Sequence, residues 1–527
     1  MALVHLQEEL IKSSTPVTVE TRFGPVRGGR AANGAATFLE VPYALPPRRF
    51  QDPQSLPADY RYEDKDYIYE ASYCAQPNND GQSAGTLYED VVGLGKPSEN
   101  PLFVNIVAPP SFPSQQNFPV KVYIHGGFLQ FGSPHGLKAQ AQYVAAERSE
   151  VWVNIGYRLS AFGFLACDEP RITGNYGFKD QWLAVRWIKE NISSFGGDPS
   201  DIQLYGLSAG AHAVHQLLHH ISRLPEGQVS PFRSAVLQSN AIILPPKNPA
   251  SLRPQFQALC RAVGIDPAAP DAFAKLSDPA VVPASVITHA IETDATGPEH
   301  GTFRGCLDGD WLATRPSPME WQRSGEFARA LKAKGVRSIV VGDLTEEWYL
   351  YAIACGELHS MDEVKTNLER FYPTDFNNKV VPLWRTVPEG SPPEDFMRLF
   401  GEISSMAQVH CPVRILARDL INAGFPVLRY EIAWTPEQVR PKGYVTHSTD
   451  RYLWTLRLPI LEDDQAAVAR AWLNVIAREV DALEEHGGAK HTVKQILALT
   501  KEKQIGWQED KLWDQHMRAV SALPGEV

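Results

Sequence analysis

Apolar and polar positions alternate over Asp201-Ile-Gln-Leu-Tyr205, and then the period changes. From Ala209 onward Ala211, Val214, Leu217, Leu218 and Ile221 recur at helical spacing, so the sequence predicts a short strand running straight into a helix. Apolar runs at 103–107, 120–124 and 151–155 predict further strands, as do those around Gln203, Val236, Ile339 and Val427. Residues 180–192 place Leu183, Trp187 and Ile188 on one side of a helix. Strands separated by helices imply a largely parallel sheet with crossover helices. Short strands at 18–27 and 37–41 predict a small N-terminal β region. Residues 42–57 read as a proline-rich loop and 78–101 as a long polar loop. The Ala/Pro-rich stretch 245–318 carries short helical patterns and reads as an insertion over the sheet edge. The stretch 466–519 reads as helical and charged.

The chain has 527 residues, 43% hydrophobic and 21% charged, which is ordinary globular composition. Length alone suggests about three or four domains of roughly 150 residues, but large α/β enzymes run long around one sheet, and the reading adopted is one domain over 1–527. The net charge of −11, with no basic block, argues against a nucleic-acid surface. No apolar run is long enough to span a bilayer, and the first residues lack the basic start and unbroken apolar stretch of a secretory signal. The six cysteines are scattered, without a C-x-x-C pair, which argues against a metal knuckle and fits free thiols in a reducing compartment. These features predict a cytoplasmic protein with no metal and no cofactor. The sequence carries no signal for an oligomeric state.

Candidate chemistry begins at the strand-to-helix change. Gly206-Leu207-Ser208-Ala209-Gly210 reads G-x-S-x-G, which on a sharp turn lifts the Ser208 hydroxyl out of the sheet edge. Alone, the motif also fits a plain strand-turn-helix junction. A second segment, Ile124-His-Gly-Gly-Phe-Leu-Gln-Phe-Gly-Ser133, follows a predicted strand. Its small residues let backbone N–H groups face a carbonyl oxygen, the usual shape of an oxyanion loop.

With these segments in place the chain resembles the type-B carboxylesterases, the group that includes the cholinesterases and some fungal lipases, and is similar to an intracellular fungal-type branch. Phe38-Leu-Glu-Val-Pro-Tyr-Ala-Leu-Pro-Pro47, Asn154-Ile-Gly-Tyr-Arg-Leu159, Gly174-Asn-Tyr-Gly-Phe-Lys-Asp-Gln181, Phe195-Gly-Gly-Asp-Pro199 and Cys306-Leu-Asp-Gly-Asp310 each resemble a family motif. The match weakens after about Leu458. The resemblance implies an α/β-hydrolase fold: a large, mostly parallel central sheet flanked by helices, with the N-terminal β region and helical insertions.

It also implies a Ser…Glu…His triad. Ser338-Ile-Val-Val-Gly-Asp-Leu-Thr-Glu-Glu-Trp348 puts the acid on Glu347, with Glu346 as neighbour, and Gly443-Tyr-Val-Thr-His-Ser-Thr-Asp450 puts the base on His447. The nucleophile is Ser208, and the oxyanion donors are the backbone N–H groups of Gly127, Phe128 and Ala209. Arg49 with Glu99 and Arg158 with Asp180 match structural ion pairs of the family. His212 and His215, on the elbow helix, are assigned packing or solvent roles.

Several positions depart from the family pattern. Leu207 replaces the acidic residue before the nucleophile, and Phe128 replaces a third oxyanion glycine. Pro101 stands where the family has a cysteine, leaving Cys74 without its expected partner. Ala241 replaces a serine near the site. Residues 78–101, unstapled, become a candidate lid. The changes argue against choline esters and for a neutral or weakly anionic, fairly apolar ester or lactone, with Phe128 and Leu207 as candidate pocket residues. The implied activity is that of a serine carboxylester hydrolase. Alternatives are an acyltransferase, a lyase- or cyclase-like biosynthetic enzyme, or a catalytically silent binding protein.

Overall fold

The structure, a computed structural model, describes residues 4–13, 15–78, 88–297 and 299–526. Fourteen strands occur among these residues: β1 (Val17–Thr21), β2 (Gly24–Arg30), β3 (Ala36–Pro42), β4 (Ser72–Cys74), β5 (Lys96–Ser98), β6 (Phe103–Ala108), β7 (Phe118–Ile124), β8 (Val151–Ile155), β9 (Gly197–Leu207), β10 (Ser234–Gln238), β11 (Ser338–Leu344), β12 (Val427–Ile432), β13 (Gln495–Leu499) and β14 (Ile505–Glu509). Twelve form one sheet in the order β1-β2-β3-β6-β8-β7-β9-β10-β11-β12-β13-β14, and β4 and β5 pair separately. The run from β8 through β13 is parallel, with antiparallel strands at both margins. The predicted N-terminal β region is the antiparallel edge of this sheet.

The parallel strands are apolar on both faces because helices cover both. Val122, Ile124, Ile202 and Leu204 point into one core, and Tyr123, Tyr205, Leu207, Val236 and Val340 into the other. A third apolar cluster, built from Phe128, Tyr351, Phe376, Phe400 and Met406 among others, sits at the end of the sheet where the site lies.

The stretch 245–318 forms the helices Pro249–Ala262, Ala272–Ser277 and Ala284–Glu292 with linking loops. The stretch 466–519 differs from its predicted all-helical character. The helix Asp463–His486 is followed by β13 and β14, a hairpin that extends the sheet. β13 is apolar on both faces because it pairs with β12 in the interior; β14 is a mostly exposed edge strand. The candidate lid at 78–101 lies partly outside the described residues. Among the described residues no helix is long and apolar enough to cross a membrane.

Two ion pairs fix loops around this frame. Arg158 binds Asp180 in a buried fork of 2.6 and 2.8 Å, and Arg49 donates to Glu99 at 2.8 Å through Nε. Neither pair lines the cavity described below.

Candidate active site

Four loops converge beyond the carboxyl ends of neighbouring parallel strands, the usual location of sites in open α/β sheets. Ser208 follows β9, the oxyanion loop follows β7, Glu347 follows β11, and His447 lies on the loop after β12.

Ser208 adopts φ 60°, ψ −127°, a backbone state that an L-residue holds only where its surroundings demand it. The flanking glycines are that demand. A Cβ on Gly206 would lie 2.3 Å from the Gly210 carbonyl oxygen, and one on Gly210 would lie 2.1 Å from that of Ile124. The turn is also anchored sideways, since the Ser208 N–H donates to the Gln238 carbonyl at 2.8 Å. The helix Ala209–Ser222 starts immediately after, so its free N–H groups and positive dipole end face the site.

His447 Nδ1 lies 2.6 Å from Glu347 Oε2, and both side chains are buried. Glu347 Oε1 accepts the Leu344 N–H at 3.1 Å, which fixes the carboxylate at the end of β11. The other imidazole nitrogen, Nε2, is buried and has no hydrogen bond among the described residues. An imidazole held by a carboxylate at one nitrogen and open at the other has the form of a general base. The His447 loop is latched by Glu346, whose carboxylate accepts the Val445 N–H at 2.7 Å and whose own N–H donates to the Val445 carbonyl at 3.1 Å. In the sequence Glu346 stands out only as the neighbour of Glu347.

Gly127, Phe128 and Leu129 all have positive φ, and among the described residues the N–H groups of Gly127 and Phe128 donate to no protein acceptor. Two buried glutamines, which sequence reasoning missed, hold the loop in this shape. Gln130 Nε2 donates to the Phe128 carbonyl at 3.0 Å and to the Phe303 carbonyl at 2.6 Å, while its Oε1 accepts the Phe303 N–H at 3.1 Å. Gln76 pairs with both backbone groups of Gly132, at 2.6 and 3.0 Å. Gln130 carries the signal of a polar side chain inside a glycine-rich turn, but its Phe303 partner lies 173 residues away; Gln76 carries no local signal, because Gly132 lies 56 residues away.

Ser208, Ala209 and Phe128 line one cavity together with Ala241, Ile243, Leu244, Phe371 and Tyr372. The Phe128 ring packs 6.1 Å from that of Tyr351, which lies 5.9 Å from the His447 ring. Leu207 is not on this wall. It sits in the core on the other side of the sheet with Tyr205, Val236 and Trp454, because adjacent residues at the strand end point to opposite faces. Its assignment as a pocket residue is therefore corrected. Pro245, Pro246, Lys247, Ser251 and Leu252 of the 245–318 region also line the cavity.

His212 lines the cavity too, which corrects its assignment to packing or solvent. Burial, and then the nearby Arg304 charge, push its imidazole down to about 3, so it is neutral, and its polar contact is with Gln216 rather than a carboxylate. His215 is a core residue bonded to Gln322 and to the Ile242 N–H. Among the described residues no cluster of three or more His, Cys, Asp and Glu side chains could hold a metal ion.

Comparison with known proteins agrees with this architecture. The sequence model of the Carboxylesterase family matches residues 15–471, and the chain belongs to that family. It is 27% identical over 512 residues to an uncharacterised esterase/lipase of Schizosaccharomyces pombe, covering 93% of this chain and 92% of that one. It is 29% identical over 514 residues to a carboxylic ester hydrolase of Gibberella moniliformis, covering 91% and 90%. The solved structure of a PNB esterase superposes with a TM-score of 0.71 at 22% identity, covering 95% of this chain and 99% of that one, and shows the shared α/β-hydrolase fold. The protein is thus a carboxylesterase-type serine hydrolase acting on carboxylic esters.

Proposed function

We propose that Ser208 is the nucleophile of this hydrolase and that the reaction proceeds through an acyl-enzyme. His447 takes the Ser208 proton as the hydroxyl attacks the ester carbonyl, because a neutral hydroxyl is a poor nucleophile. Glu347 holds the imidazole in the required tautomer and stabilises it once charged. The N–H groups of Gly127, Phe128 and Ala209 receive the developing oxyanion; one such donor typically contributes about 2.7–4 kcal/mol in the transition state. The imidazolium protonates the leaving alcohol. Water, deprotonated by His447, then attacks the acyl carbonyl and releases the acid.

The observation that supports this most is the 2.6 Å contact of His447 with Glu347, with Nε2 left open, at the sheet end that carries Ser208. The substrate is a small ester or lactone whose apolar part packs against Phe128, Ile243, Leu244 and Phe371. The six cysteines, all free and mostly buried, fit a chain that works in a reducing compartment.

Steady-state hydrolysis of p-nitrophenyl esters tests the assignment. Ser208→Ala and His447→Ala each lose about 10⁴-fold or more in kcat while keeping the wild-type circular dichroism spectrum. Retention of most of the rate by His447→Ala would remove it as the base.

A further inference from the structure

The cavity above Ser208 carries three uncharged polar side chains that the reaction leaves unused: His212, Asn240 and Gln408. Gln408 is only 6% exposed, and its Nε2 is buried with no hydrogen-bond partner among the described residues. Asn240 is buried too, and its amide makes no hydrogen bond among the described residues. His212 uses Nε2 on the Gln216 amide at 3.3 Å, and its Nδ1 has no partner among the described residues. A buried N–H without an acceptor costs the fold free energy. An acceptor brought in by a bound molecule removes that cost.

The local backbone brings Gln408 to this wall. Met406–His410 is a single π-helical turn between the helices Pro393–Ser405 and Cys411–Asn422. Such turns hold one residue more than an α-helical turn and recur at functional sites. Ala407 and Gln408 line the cavity, while His410 lies off that wall with its Nδ1 2.7 Å from Asp343 Oδ2. One buried chain of hydrogen bonds then joins the elements that carry the three side chains. Gln322 Nε2 donates to Asp419, on the helix that continues the π turn, at 2.8 Å. Gln322 Oε1 lies 2.9 Å from Nε2 of His215, on the same elbow helix as His212. His215 Nδ1 accepts the Ile242 N–H at 3.0 Å, on the loop after β10 that carries Asn240. The three groups therefore hold a set geometry around the cavity, as a selective site requires.

We propose that Gln408, Asn240 and His212 form a hydrogen-bonding subsite for an uncharged oxygen function, a ketone, hydroxyl or second ester, carried by the substrate remote from the scissile bond. The proposal rests on the reading of Ser208 as nucleophile. Each of the three side chains offers an N–H, and the amides offer an acceptor as well, so a hydroxyl fits as a carbonyl does. His212 is neutral, and with Gln216 donating to Nε2 its one proton sits on Nδ1. Three neutral groups select by the direction of a hydrogen bond rather than by charge. The rings of Phe128 and Phe371, 6.3 Å apart on the same cavity, suit the carbon chain between the ester and the oxygen. A site built this way rejects the analogue that lacks the oxygen, because its own polar groups are then left unpaired. The expectation of a fairly apolar ester narrows to an oxygenated one.

The test compares p-nitrophenyl esters of unbranched acids that end in a methyl ketone with p-nitrophenyl esters of plain unbranched acids of matching length. A second series, for the alcohol side, compares butyrates of keto alcohols with butyrates of plain alcohols. The ketone is kept remote from the ester carbonyl, so paired compounds share their intrinsic reactivity. In at least one series a keto ester exceeds its plain match in kcat/KM by about tenfold or more. The ratio falls toward one in Gln408→Met, mainly through the KM of the keto ester, and falls in Asn240→Leu. High salt leaves it unchanged, since no charge takes part. If Gln408→Met does not fold, the wild-type ratio, its salt dependence and Asn240→Leu decide. Plain esters cleaved as well as every keto ester in both series, a preference untouched by these variants, or one that salt abolishes would overturn the subsite and leave the esterase reading standing. Hydrolysis of neither class would overturn both.

Discussion

A Cβ on Gly210 would stand 2.1 Å from the carbonyl oxygen of Ile124, the last residue of β7. The obstacle is backbone on both sides, so no side-chain rotation relieves it. Gly210 is therefore the residue that lets the elbow helix touch the strand leading into the oxyanion loop, and the spacing of Ser208 from that loop depends on it. Gly210→Ala should lower the unfolding free energy by about 1–3 kcal/mol, as overpacking does, and reduce kcat. Denaturant melts and ester kinetics check this; wild-type values in both would show that the contact does not set the site.

Leu207 gives a second expectation, one that separates core from pocket. It packs beneath the sheet end, 6% exposed, away from the cavity. Leu207→Ala should lose about 2–5 kcal/mol of stability and leave the ranking of acyl chains as in the wild type. A changed ranking without a change in melting would return Leu207 to the substrate pocket.

Gln130 carries the third. Replacing it with Met leaves the Phe303 N–H and the Phe128 carbonyl without their buried partner, so the oxyanion turn loosens. Small misplacements of catalytic donors cost about a hundredfold, and kcat of Gln130→Met should drop tenfold to a hundredfold with a smaller change in KM. The check is kcat per active site, with the sites counted by burst titration, because a purely structural role would lower the fraction of active sites and leave the per-site kcat alone.

Asp450 sets a pH dependence. Burial first, and then the charge of Glu347, push its carboxyl up to about 6. The fold therefore favours the protonated form. The stability this provides is fully present below the ordinary carboxylate value of 3.8 and is lost as pH rises through about 6. Asp450→Asn is neutral at every pH, and Asn can still accept the Trp454 Nε1–H that Asp450 Oδ2 accepts at 2.9 Å. Relative to the wild type it should gain about 1–3 kcal/mol at pH 8 and only about 0.5 kcal/mol at pH 4. Melts at the two pH values decide; an equal difference at both would remove the titration from the explanation.

Much of this was legible in the chain because local pattern and tertiary role coincide. β8 falls on residues 151–155 as the apolar run predicts, and the elbow helix begins at Ala209 where the period changes from strand to helix. The hairpin β13–β14 was not legible. Its strands are five residues each, they follow a long charged helix, and the apolarity of β13 makes sense only beside β12. Gln130 and Glu346 were illegible as struts for a related reason. Their partners are 173 and 99 residues away in sequence, and no local pattern encodes such a meeting. Leu207 was misassigned because motif position says which residue is next to the nucleophile but not which face of the sheet it takes.

Labelling with a fluorophosphonate probe, followed by mass mapping of the modified peptide, tests the central assignment most directly. The expected result is a single adduct on Ser208, absent in Ser208→Ala and formed far more slowly in His447→Ala. An adduct on another residue, or a folded wild-type protein that takes up no probe, would contradict it.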